Sequence, residues 1–176
     1  MRANDGPEDV NLRRAEPADS AGIRTVARES WPRAYEGIVP PDIQGQAIAS
    51  WYSDHALTQC LADTEEVFLV AETPNRVAGF VHLGALQAGS VELLRIYVLP
   101  QFQRHGIGRQ LLEEAISLLP SSEIGRVTVS VARQNTAGCA FYERSGFSKT
   151  GLRTIHVFGC AVEEATYERL LGRGIV

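Results

Sequence analysis

The 176-residue chain has a single lysine, Lys149, among 17 basic residues, and these are outnumbered by 21 acidic ones. A net charge of −4 lacks the basic excess of a general nucleic-acid binder. Only Arg104, His105 and Arg109 make a local basic patch. No apolar run approaches the roughly 20 residues that span a bilayer, so no membrane partner is expected. Met1 to Asp9 is acidic and has no apolar segment; it reads as a flexible tail and not as a signal peptide. Cysteines are few and odd in number: Cys60, Cys139 and Cys160 lack metal-type spacing. Free thiols in a reducing cytoplasm are the expectation. The histidines are scattered, with no paired-ligand spacing, so no metal is expected. Repeats and low-complexity stretches are also missing, which leaves one domain over residues 10–176.

What is present is a clear alternation of periods. Val10 to Arg14 reads as a short strand. Pro17-Ala18-Asp19 starts a helix with Ile23, Val26 and Ala27 on its apolar face, and Trp31-Pro32 ends or bends it. Pro40-Pro41-Asp42 opens a second helix running to about Leu61. Val67 to Glu72 and Val77 to Leu86 make a hairpin, and Val91 to Leu99 is a long apolar strand closed by Pro100. Ile107 to Leu119 carries Ile107, Leu111, Leu112, Ala115, Ile116 and Leu119 at helical spacing. Arg126 to Ala132 alternates as a strand. Asn135 to Arg144 is a short helix ended by Gly146, and Phe147 to Phe158 with Val162 to Leu171 is a last hairpin. The class is α/β (α+β), with a mixed sheet. The Val91 and Arg126 strands flank a helix crossover and should run parallel.

Between Pro100 and the clearest helix lies Gln103-Arg104-His105-Gly106-Ile107-Gly108-Arg109. Glycine admits positive φ and lets a ligand approach the main chain. A helix start offers free N–H groups and a dipole of roughly +0.5 charge to an anion. Arg104 and Arg109 add charge-assisted donors, so the loop suits a diphosphate. Two glycines alone also suit a plain strand-to-helix turn. A nucleotide loop of the Gly-Lys-Ser/Thr kind is excluded, because Gly108 is followed by Arg109-Gln110. The dinucleotide fingerprint is disfavoured, because it needs a third glycine and an early βαβ unit.

Gln103-x-x-Gly106-x-Gly108, after Val98-Leu99-Pro100 and before Leu111-Leu112, resembles the acetyl-CoA signature of the GNAT N-acetyltransferases. A second block agrees: Asn135, Ala137-Gly138, Phe141-Tyr142-Glu143 and Gly146-Phe147 are similar to that superfamily's later helix motif. Gly138 departs from the more usual single alanine. The resemblance implies a six- to seven-stranded mixed sheet flanked by about four helices, with two central parallel strands splayed apart. It implies acetyl-CoA as co-substrate and direct transfer to a primary amine. The acceptor would be a small molecule, a protein N-terminus or a lysine. A non-catalytic acyl-CoA-binding module of the same fold is the alternative, and a homodimer through the late strands is common in the fold.

Carried residue by residue, the resemblance makes Ile96, Tyr97 and Val98 main-chain partners of pantetheine. Gln103 to Arg109, including His105 and Ile107, would hold the pyrophosphate, and Asn135 would bond the pantetheine arm. Tyr142 matches the general acid, a phenol protonated at neutral pH. Glu92, near the start of the motif strand, is the candidate base, with Glu72 a weaker rival. Trp31 and Tyr35 would shape the acceptor pocket, with Trp51 and Tyr52 nearby; four aromatics at helical spacing also suit a plain core.

Overall fold

The computed structural model describes residues 10–120 and 123–172. The expected N-terminal tail therefore lies outside the described residues. The elements are β1 (Asn11–Arg14), α1 (Ser20–Ala34), α2 (Pro41–Trp51), α3 (Asp54–Ala62), β2 (Val67–Thr73), β3 (Arg76–Leu83) and β4 (Ser90–Val98). They continue with α4 (Ile107–Ser117), β5 (Arg126–Ala132), α5 (Thr136–Arg144), β6 (Ser148–Val157) and β7 (Cys160–Leu170). The seven strands form one sheet in the order β1-β2-β3-β4-β5-β7-β6. Neighbours are antiparallel except β4 and β5, which run parallel on either side of the α4 crossover.

Most boundaries follow the sequence signals, with two corrections. The helix expected from Pro41 to about Leu61 is two helices. Tyr52 ends the first, and Ser53 starts the second by accepting the Ala56 N–H at 3.2 Å. The local serine cap outweighs the continuous apolar pattern. In α1, Pro32 neither ends nor caps the helix, which continues to Ala34. Pro32 sits in the last turn and forgoes one ladder bond, the one its N–H would have made to the Arg28 carbonyl, without stopping the helix.

Ile107, Leu111, Leu112 and Ala115 of α4 are buried against the sheet, which they meet through β2, β3 and β4. Burial of each leucine contributes about 2 kcal/mol. Ile23, Val26 and Ala27 of α1 are fully buried, and α1 packs on β3 and β4. The edge strand β1 is clamped by Arg13, which donates to Asp19 at 2.7 and 2.9 Å and to Glu72 at 2.9 and 3.0 Å.

Candidate active site

The ladder between β4 and β5 covers only Ser90 to Leu93 against Arg126 to Val129. Beyond that, β4 stays paired to β3 and β5 to β7, so their facing edges diverge. Leu99 N–H donates to Ala78 O at 2.8 Å. The alternation of an antiparallel pair then places Tyr97 opposite Phe80 in a hydrogen-bonded position. The main-chain groups of Ile96 and Val98 consequently point away from β3, into the gap. Tyr97 is a correction to the sequence expectation: its backbone is committed to β3. The Val98 carbonyl is also occupied, accepting from Gln103 Nε2 at 2.9 Å and Ser30 Oγ at 3.2 Å. What remains for a ligand is the Val98 N–H and both groups of Ile96.

The loop after β4 is shaped by two positive-φ residues, Arg104 at 66° and Gly106 at 83°. Gly106 is the residue before α4, whose first ladder bond runs from Gln110 N–H to Gly106 O at 3.0 Å. The N–H groups of Ile107, Gly108 and Arg109 thus precede the helical ladder and are free to take an anion. A Cβ on Gly108 would meet Phe141 and Val98 at 3.5 and 3.7 Å, ordinary contact distances. Its lack of a side chain therefore matters to what approaches from outside. Arg104, His105 and Arg109 are exposed around this helix start. Gln103 is a second correction, because its exposed side chain is engaged by the Val98 carbonyl and braces the end of β4.

On α5, Asn135 caps the helix by accepting the Gly138 N–H on Oδ1 at 2.9 Å. Its Nδ2 amide stays available as a donor. A Cβ at position 138 would meet Asn135 Nδ2 at 2.9 Å and Val131 Cγ2 at 3.0 Å, so an alanine here would have to displace the Asn135 amide. Tyr142 is buried among Phe141, Phe147 and Tyr167. Among the described residues, Tyr35 and Tyr97 pair their hydroxyls and Tyr167 donates to Glu143, while the Tyr142 hydroxyl finds no partner. Burial, with Tyr35 and Cys139 adding to it, pushes the Tyr142 phenol well above its ordinary value. It is an O–H donor throughout the neutral range.

A register shift in β4 settles where Glu92 faces. Leu93 pairs with Leu83, yet Arg95 pairs with His82, so one extra residue lies between them. Because His82 and Leu83 point to opposite faces, Glu92 shares the face of Arg95 and Tyr97. There Arg95 stacks on the Tyr52 ring at 5.0 Å. Glu92 is exposed, one residue from the last β4–β5 rung, in a cleft of about 320 Å³ with Glu66, Gln87, Ser90, Leu94 and Thr128. The rival Glu72 is held by Arg13 at the β1–β2 edge, away from the gap.

Four aromatics divide by burial. Trp31 and Tyr52 are core residues, 3% and 1% exposed, so Trp31 does not line an open pocket as expected. Tyr35 packs tilted on Trp31 at 4.5 Å and Trp51 meets it edge-on at 5.7 Å, and both reach the surface side of the cluster. Trp51 also meets Phe158, on the β6–β7 turn, at 6.0 Å. Neither Phe158 nor Glu66 carried a local sequence signal; only the folded sheet brings them here.

A split parallel pair, an anion-binding helix start and a buried tyrosine also agree with known proteins. A family model described as "Acetyltransferase (GNAT) family" matches residues 25–147. A spermidine N(1)-acetyltransferase of Thermoplasma acidophilum is 31% identical over 142 residues, covering 78% of this chain and 88% of that one. The crystal structure of a Thermoplasma acidophilum PaiA N-acetyltransferase with coenzyme A superposes with a TM-score of 0.78 at 26% identity, over 93% of this chain and 99% of that one. Over a shorter stretch, 61 residues and 35% of this chain, a Salmonella typhimurium ribosomal-protein bS18 alanine N-acetyltransferase is 39% identical, covering 41% of that protein. The chain belongs to the GNAT family and is an N-acetyltransferase that moves an acetyl group from acetyl-CoA to an amine.

Proposed function

We propose that this enzyme acetylates small polycationic amines, with Glu92 taking the proton of the attacking amine and Tyr142 serving the leaving sulfur. The observation that carries it is the cleft beside the last β4–β5 rung. Glu66, which also bonds His82 at 2.6 Å, and Glu92 line it with Gln87, Ser90 and Thr128, and among the described residues no Lys or Arg side chain lines it. Two carboxylates at one mouth attract an amine with a second positive charge. The related spermidine N(1)-acetyltransferase supports a polyamine acceptor. No helix among the described residues is long and apolar enough to cross a membrane. The free thiols of Cys60, Cys139 and Cys160 fit a reducing cytoplasm.

Acetyl-CoA supplies the acetyl group as an activated thioester. The fold fits it: Ile107, Gly108 and Arg109 offer main-chain N–H groups to the pyrophosphate, flanked by Arg104, His105 and Arg109. The Ile96 and Val98 main chain and Asn135 Nδ2 serve the extended arm. Glu92, on the acceptor face, draws a proton from the ammonium directly or through water, because only a neutral amine attacks. The Ile96 N–H points into the gap beyond the last rung and can receive developing charge on the carbonyl oxygen. As the carbon–nitrogen bond forms and the carbon–sulfur bond breaks, Tyr142 gives its phenolic proton to the departing sulfur and regains one, through water, from the nitrogen that has attacked.

An acceptor panel reading free thiol tests this. Spermidine and spermine should give high kcat/KM and mono-acetylated products by mass. Turnover of an alanine-ended peptide with none on polyamines would replace the acceptor class and leave the family chemistry standing.

A further inference from the structure

Away from the donor gap, three potential ligands from three segments meet under α3. Cys60 lies in α3, Glu66 in the loop before β2, and His82 on β3. One donor atom from each lies within 4.8 Å of the others. His82 is 1% exposed and stacks on Phe68 at 4.6 Å. Its Nε2 lies 2.6 Å from Glu66 Oε2, while Nδ1 has no partner among the described residues.

We propose that Cys60, Glu66 and His82 bind a divalent transition metal of the zinc class. Thiolate, imidazole and carboxylate are the donors zinc takes, with arms of about 2.0–2.3 Å. A tetrahedral ion then separates its ligand atoms by roughly 3.3–3.8 Å. The Glu66–His82 pair opens slightly from 2.6 Å, and Cys60 closes from within 4.8 Å. These are side-chain rotations, not rearrangements of the fold. Cys60 and Glu66 also line a cavity of about 330 Å³, with Arg14, Asp63 and Phe68, from which water or Asp63 can complete the set. The wide spacing of 60, 66 and 82 explains why no local metal motif marks the chain. The ion ties α3 and its following loop to β3; because Glu66 also lines the acceptor cleft, the site is read by metal binding and not by turnover.

The test uses the whole chain, stripped with chelator and titrated with Zn²⁺ and Co²⁺. One equivalent of Co²⁺ should bind with a thiolate-to-metal charge-transfer band, and Zn²⁺ should displace it. The band should vanish in Cys60→Ser, where Cys139 and Cys160 remain. Glu66→Gln should weaken Zn²⁺ at least tenfold. Zn²⁺ should raise Tm in the unaltered chain and not in Cys60→Ser. Either a Co²⁺ complex without sulfur charge transfer or equal Zn²⁺ uptake by Cys60→Ser overturns the site.

Discussion

The hydroxyls of Tyr35, the residue that caps the end of α1, and Tyr97 on β4 lie 3.2 Å apart, joining that helix end to the strand that borders the donor gap. Burial raises the pKa of both phenols, so both stay protonated and the bond persists across the neutral range. In Tyr35→Phe this link is lost while the ring contact with Trp31 survives. Stability should fall by about 1 kcal/mol. Two-substrate kinetics should show acceptor KM rising several-fold with acetyl-CoA KM unchanged; a change confined to acetyl-CoA would assign Tyr35 to the donor side.

Tyr142→Phe removes one oxygen from a well-packed ring, so folding should be preserved. A proton donor to a leaving group contributes about 10²–10⁴ in rate. The expected loss is therefore about a hundredfold in kcat, with CoA affinity by calorimetry unaltered. Wild-type turnover in the variant would remove Tyr142 from the chemistry.

Glu92→Gln deletes the base and not the binding fold, because the side chain is exposed. At pH 7 the rate should drop at least tenfold. It should recover as pH rises toward the amine's own pKa, where the acceptor no longer needs a base. An unchanged pH–rate profile would place the base elsewhere.

Much of this site can be read from residue order. The glycines at 106 and 108, the 3.6 period after them, and the Asn135–Tyr142 step all depend on local rules, and the chain obeys them. Three features depend on tertiary register instead. The extra residue between Leu93 and Arg95 decides which face Glu92 shares. The alternation of β3–β4 bonds decides that Ile96 and Val98, not Tyr97, open into the gap. Gln103 looked like part of the anion loop, but the Val98 carbonyl, five residues back, claims its amide. The break at Tyr52–Ser53 was local yet concealed, since the apolar pattern runs through it.

Gly138→Ala separates two opposed effects. Helix propensity alone predicts a gain of about 1 kcal/mol. Contacts of 2.9 and 3.0 Å with Asn135 and Val131 predict a loss and a displaced Asn135 amide. Packing should win: Tm falls and acetyl-CoA KM rises. A stabilised variant with normal KM would show that Asn135 can yield without consequence.

Asp19 gives the fold a defined acid sensitivity. Burial pushes its carboxyl up, but Arg13 and the Glu16 N–H outweigh this and hold it below the ordinary value. A lowered folded pKa means the contribution is present above about pH 4 and is lost as pH falls further. Asp19→Asn should cost about 2 kcal/mol at pH 7 in urea unfolding. That gap should shrink steadily toward pH 3; a constant gap would show that charge is not its origin.

The ladder that stops at Leu93 and Val129 leaves this sheet one strand short of itself. A bound acyl donor is therefore architectural as well as chemical: it fills the place of a missing strand between two half-sheets. Amide exchange at Ile96 and Val98, whose N–H groups face the gap, should slow when that place is filled.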